Sequence, residues 1–165
     1  MSGTVFVTVG TTKFDSLIEE VYKDKTLKLL KSKGYSKLIL QIGRGHFQPE
    51  ECTKYGIEVV VFRLKPSILD YFKNADLVIS HAGAGSCLEA LGAKKPLITV
   101  INDSLMNNHQ MELAEELSEN KNCLCCNTKT LYDTLFSFDA SQLKSYEPGN
   151  PKLLSDYLNS VIKTN

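Results

Sequence analysis

The chain has 165 residues, 42% of them hydrophobic, with 19 Lys plus Arg balanced by 19 Asp plus Glu. That length closes one core burying roughly 70% of the unfolded surface, so a second full domain is not expected. Neither sign forms a long block, so no molecule-wide field favours nucleic acid or anionic lipid, and the composition points to a small ligand or a protein partner.

In chain order, short runs rich in β-branched residues alternate with segments of helical period. Residues 4–9, 37–42, 57–62, 76–80 and 97–101 read as strands. Several are apolar almost throughout, the pattern of strands covered on both faces. The helical segments between them predict right-handed crossovers over a parallel sheet. The expected fold is α/β, a Rossmann-like doubly wound parallel sheet over residues 1–146. The apolar run from Val5 to Val9 is far shorter than a secretory signal and has no basic leader. Nothing elsewhere approaches the ~20 apolar residues of a membrane span, so a soluble cytoplasmic chain without direct membrane insertion is expected.

The first helix is predicted near Thr12, where Thr12-Lys13-Phe14-Asp15 reads as a capping box and Phe14, Leu17, Ile18 and Val21 share a face. A later stretch through Leu27 and Leu30 closes at Gly34. Residues 41–55, with Gly43, Gly45 and Pro49, read as a surface loop. In it, the glycine-flanked His46 either closes over a ligand or is simply solvated.

After residues 131–138 the sequence Glu147-Pro148-Gly149-Asn150-Pro151 breaks the pattern, and Leu154, Tyr157, Leu158, Val161 and Ile162 make an apolar stripe at helical spacing. Residues 147–165 therefore read as a hinge and a terminal helix, which either folds back on its own sheet or docks on a partner chain. The five cysteines, at 52, 87, 123, 125 and 126, are odd in number and lack metal-ligand spacing or nearby histidines. They are expected as reduced thiols partly buried as small apolar residues.

Ligands of open parallel sheets bind beyond the carboxyl ends of the strands, which singles out the loops after 4–9, 76–80 and 97–101. The first, Val9-Gly10-Thr11-Thr12, is a tight turn into a helix whose free N–H groups suit a phosphate oxygen. It lacks the G-x-G-x-x-G fingerprint, and Gln41-Ile42-Gly43 stands where a dinucleotide enzyme has an acidic residue; both argue against a Rossmann-type oxidoreductase.

The second loop is Ser80-His81-Ala82-Gly83-Ala84-Gly85-Ser86-Cys87-Leu88-Glu89. Gly83 and Gly85 admit close backbone approach, and a helix predicted to start at Ser86 aims its positive end at the gap. A diphosphate fits there, and so does an ordinary small-residue turn. Ser86 and Glu89 also satisfy a capping box that would tie the carboxylate to its own helix, and Asn107 with Gln110 reads as another.

His81, Ser86 and Glu89 stand at the spacing H-x-G-x-x-S-x-x-E, which resembles the donor-binding domain of GT-B glycosyltransferases that use UDP-sugars. Ala93-Lys94-Lys95-Pro96-Leu97-Ile98-Thr99-Val100, then Asn107-Asn108-His109-Gln110, is similar to the same domain in the bacterial lipid-intermediate N-acetylglucosaminyltransferases of glycosyltransferase family 28. The similarity runs from Gly10 to about Leu117. Over its whole length the chain resembles the small cytosolic catalytic subunits of the eukaryotic enzyme that adds the second N-acetylglucosamine to dolichyl-diphosphate-N-acetylglucosamine.

The resemblance implies one donor-binding half of a GT-B enzyme, paired as a heterodimer with a membrane-anchored acceptor-binding subunit that recruits it to the cytosolic face of the endoplasmic reticulum. It implies that Glu89 holds the ribose and that Ser86 with the amides of Ala84, Gly85 and Ser86 holds the diphosphate. Gly83 and the turn of Gly10, Thr11 and Thr12 line the same place, and His81 adds a phosphate contact. Asn108, His109 and Gln110 would reach the sugar, and the uracil would pack near Phe62, Arg63 and Leu64, with Phe62 also readable as plain core.

The implied reaction is an inverting, metal-independent transfer from UDP-N-acetylglucosamine to a lipid-diphosphate sugar, without cofactor. No Asp-x-Asp motif is present and Asp103 stands alone. The chain offers no evident general base, so the partner is expected to supply it. A non-catalytic nucleotide-sugar-binding regulatory subunit is the alternative.

Overall fold

The computed structural model of the chain describes residues 2–104 and 108–146, with 108–110 as backbone only. The predicted docking stripe of Leu154, Tyr157, Leu158, Val161 and Ile162 lies outside the described residues, as does Asn107. The strands are β1 (Gly3–Thr8), β2 (Tyr35–Gln41), β3 (Cys52–Lys54), β4 (Ile57–Phe62), β5 (Leu77–His81), β6 (Leu97–Ile101) and β7 (Leu124–Asn127). The helices are α1 (Asp15–Tyr22), α2 (Asp24–Ser32), α3 (Leu69–Asn74), α4 (Ala84–Gly92), α5 (Asn108–Glu119) and α6 (Leu131–Ser137). The strands form one sheet in the order β3-β4-β2-β1-β5-β6-β7, parallel except for β3 against β4.

Alternation inside the apolar runs decides the layering, because successive strand side chains point to opposite faces. Val5 and Val7, Leu38 and Leu40, Leu77 and Ile79, and Ile98 and Val100 face one layer, made with Leu17, Ile18 and Val21 of α1, Leu27 and Leu30 of α2, and Leu131 and Leu135 of α6. Phe6, Ile39, Val78 and Leu97 face the other, with Phe72 of α3, Cys87, Ala90 and Leu91 of α4, and Leu113 and Leu117 of α5. Both faces are thus covered, the doubly wound arrangement read from the sequence.

Two strands escape that reading. β3 is three residues long and half to fully exposed, so no apolar run marks it. β7 reads Leu-Cys-Cys-Asn and buries Cys126 against β6; its cysteines act as small apolar residues in a strand without β-branched signals. Helix starts also differ. The backbone N–H and hydroxyl of Thr12 both donate to the Val9 carbonyl, at 3.2 and 2.7 Å, so the chain closes a turn there and α1 opens only at Asp15.

Candidate functional site

The order of strands reverses between β1 and β5. From β1 the chain steps to β2 and β4 on one side; from β5 it steps to β6 and β7 on the other. The crossover after β1 lies on one face and that after β5 on the opposite face, so the two loops part and leave a crevice at the carboxyl ends. Thr8 and Ser80 sit side by side beneath it.

The first wall is set by a buried relay. The Thr8 hydroxyl donates to Gln41 Oε1 and accepts from the Gly10 amide at 2.9 Å, with Thr8 fully buried and Gln41 nearly so. Gly10 then turns with φ +62°, a conformation that favours glycine, and brings its Cα against the His81 ring. Sequence reasoning missed this pair; the available signal was a polar residue closing each of two otherwise apolar strands.

His81, the last residue of β5, is half-buried. Its Nδ1 lies 3.3 Å from the Thr8 carbonyl oxygen, which can only accept, so Nδ1 carries the proton. Burial lowers the imidazole pKa, with the bond to Thr8 pulling weakly the other way. The neutral ring turns an unprotonated Nε2 toward the space between Gly10 and Gly83. A Cβ on Gly83 would overlap Nε2, and one on Gly10 would lie 3.4 Å from it.

Next comes the N-terminus of α4. The helix begins at Ala84, two residues before the predicted start, with Gly83 as its cap residue and no side-chain cap. Cys87 N donates to Gly83 O at 3.1 Å, closing the first turn. The amides of Ala84, Gly85 and Ser86 have no acceptor among the described residues and point out along the helix axis. Ser86 is therefore a third helical residue and not a cap, so the Ser86–Glu89 capping box does not form. Glu89 is exposed one turn on, and its carboxylate makes no hydrogen bond or ion pair among the described residues.

The loop after β2 leans on the first wall. Arg44 N donates to Thr12 O at 2.9 Å, and the Asp15 carboxylate accepts from His46 N and Phe47 N at 2.9 and 3.2 Å. Arg63 donates to Gly43 O, Gly45 O and Gln48 Oε1 at 3.2, 2.8 and 3.4 Å. The loop around His46 is thus fastened, with the His46 side chain itself exposed.

Phe62 is half-buried and packs against the core, stacked on Phe6 at 6.5 Å and tilted against Tyr71 at 4.8 Å, while Leu64 is 52% exposed. A depression of about 490 Å³ opens beside the first wall, lined by Lys13, Phe14, Asp15, Ser16, Asn102 and Ser104. The backbone of Asn108, His109 and Gln110 forms the first turn of α5, close after Ser104 in sequence; their side chains lie outside the described residues.

Three thiols are closed to chemistry: burial pushes Cys123 and Cys126 up to about 12, and Cys87 up as well. Among the described residues no group of three or more His, Cys, Asp or Glu could hold a metal ion, and no helix is long and apolar enough to cross a membrane.

The profile of the Glycosyltransferase family 28 C-terminal domain matches residues 4–144. The chain is 51% identical over 127 residues to the UDP-N-acetylglucosamine transferase subunit ALG13 of Homo sapiens, covering 77% of this chain and 11% of that protein. To the subunit of the same name from Kluyveromyces lactis it is 34% identical over 152 residues, covering 73% and 77%. The human and mouse relatives are far longer than this chain, which spans 11% of each. An NMR solution structure of ALG13 matches with TM-score 0.69 at 29% identity, over 93% of this chain and 95% of that one. A crystal structure of Acinetobacter baumannii MurG matches with TM-score 0.67 at 15% identity, over 96% and 50%, a likeness of fold alone. With the profile running from the first strand past the last, this chain belongs to the glycosyltransferase family 28 C-terminal domain family, alongside the ALG13 subunits, and has the Rossmann-like fold of one half of a GT-B enzyme.

Proposed function

We propose that the chain is the donor-binding, catalytic subunit of an N-acetylglucosaminyltransferase, holding UDP-N-acetylglucosamine in the crevice between β1 and β5. The observation that carries this reading is the row of unpartnered amides at Ala84, Gly85 and Ser86 facing the Gly10 turn across a topological switch point. A diphosphate there meets fixed N–H dipoles and the positive end of α4. Glu89, free of its own helix start, is left to hold the ribose hydroxyls. The depression beside Asp15 and Asn102 gives room for the sugar, with Asn108, His109 and Gln110 following from α5.

In the reaction, an acceptor hydroxyl oxygen attacks the anomeric carbon from the face opposite the leaving group. The bond from that carbon to the β-phosphate oxygen breaks, inverting the centre and releasing UDP. Negative charge gathers on the diphosphate and is stabilised by preorganised amides, without a metal or cofactor. The hydroxyl proton goes to a general base, which we assign to a membrane-anchored partner subunit: among the described residues the one carboxylate lining the depression, Asp15, is already engaged by the amides of His46 and Phe47. The acceptor is dolichyl-diphosphate-N-acetylglucosamine, in the second step of lipid-linked oligosaccharide assembly for N-glycosylation. The site of action is the cytosolic face of the endoplasmic reticulum. We assign partner docking to residues 147–165.

The test is reconstitution: the full chain with UDP-N-acetylglucosamine and a short-chain lipid diphosphate sugar, with and without the membrane-anchored subunit. Transfer only with both chains supports the split enzyme. Turnover by this chain alone overturns it.

A further inference from the structure

We infer that Arg63 is a positioning residue, whose side chain fixes the donor turn of Gly10 and Thr12 through the loop after β2 instead of reading the base. This rests on the donor site proposed above. A guanidinium carries five donors in a fixed fork, and here that fork spans three acceptors of one loop, the carbonyls of Gly43 and Gly45 and the Gln48 amide oxygen. Just below, Ile42 N donates to Phe62 O at 2.9 Å, so the foot of the loop continues the pairing of β2 with β4. Arg63 follows Phe62 directly, one residue past the end of β4.

The far side of the loop presses on the donor turn. Gly43 adopts φ +56° and lies so close that an added Cβ would overlap the Thr12 carbonyl oxygen and come within 2.9 Å of the Gly10 carbonyl oxygen. Arg44 N holds that Thr12 carbonyl, and Asp15, at the start of α1, grips the amides of His46 and Phe47. The loop is therefore a spacer clamped between Arg63 and the turn, with its second clamp at Asp15. Removing the guanidinium leaves two carbonyls without their charged donor and frees Gly43 to move away from Thr12. The base can still meet the backbone at residue 63 whatever side chain stands there. The loss should thus fall on the phosphates and spare the nucleoside.

The experiment titrates the full chain with UDP and, separately, with uridine, following amide shifts by NMR. For Arg63→Ala the UDP dissociation constant should rise about tenfold, equivalent to about 1.4 kcal/mol, with the uridine constant unchanged. Asp15→Ala, which cuts the other clamp, should give the same selective loss. Arg63→Gln, which keeps an uncharged amide donor group, stands in should Arg63→Ala fail to fold. Equal weakening of UDP and uridine would mean that Arg63 contacts the base, and no weakening of either would mean that the clamp transmits nothing; each overturns the inference. A wild-type chain that binds neither ligand overturns the donor reading itself, and this inference with it.

Discussion

At the scale of single residues, the bond from His81 Nδ1 to the Thr8 carbonyl leaves Nε2 as a bare acceptor facing the crevice. Only the imidazolium can then donate to a phosphate oxygen, so UDP binding should take up a proton. UDP affinity is expected to rise as pH falls from 8 to 6, by at most tenfold per unit for one proton. Folding stability of the free chain runs the other way. Burial holds the His81 pKa below its ordinary 6.5, so below that pH the unfolded chain binds the extra proton and stability is lost as pH falls through the folded-state value. Calorimetry in two buffers and thermal melts from pH 8 to 5.5 check both slopes, and His81→Asn should flatten each. Glu89→Ala should weaken UDP and uridine alike by about 1–3 kcal/mol, the range for hydrogen bonds to a charged group, without lowering the melting temperature. An unchanged affinity would remove Glu89 from the site.

Among the elements, α4 offers the cleanest separation of fold from site. A Cβ added at Gly85 meets nothing within 4 Å, whereas one at Gly83 overlaps the His81 ring. Gly85→Ala should therefore raise stability by up to about 1 kcal/mol, since alanine orders a helix at lower entropy cost, while its methyl crowds the phosphate cradle and weakens UDP. Gly83→Ala should lower both. A Gly85→Ala chain with full UDP affinity would move the diphosphate elsewhere.

Elements were legible where burial imposes a pattern. Val5, Phe6 and Val7 alternate between two cores, and the sheet centre follows from such runs. The capping boxes at Thr12 and Ser86 misled because they are local rules. Thr12 found a closer acceptor in the Val9 carbonyl, and the small residues Gly83, Ala84 and Gly85 let α4 begin before Ser86. The Thr8–Gln41 relay and the clamps at Asp15 and Arg63 join residues far apart in sequence, and no periodicity encodes such pairs.

For the whole molecule, the five predicted strands and two helical layers sufficed to place the crevice, because topology alone sets the switch point. Where a partner would dock is read only from an apolar stripe, Leu154 to Ile162, that lies outside the described residues. Leu158→Asp with Val161→Asp should abolish capture of the membrane-anchored subunit while leaving the melting temperature of the core unchanged. A collapse of the melt would show instead that the stripe packs on its own sheet.

The contact between His81 and Thr8 links positions 73 residues apart, and the crevice exists only while the strands bearing them lie side by side. Half of the sheet cannot form it. On the reading proposed above, nucleotide binds only the complete fold, and a cell rich in the sugar donor should protect this protein from degradation by mass action. At a hundred times the dissociation constant the gain is about 2.7 kcal/mol, a large share of what holds a small domain together. Starving a cell of the donor should shorten the lifetime of the protein before it limits the rate of transfer.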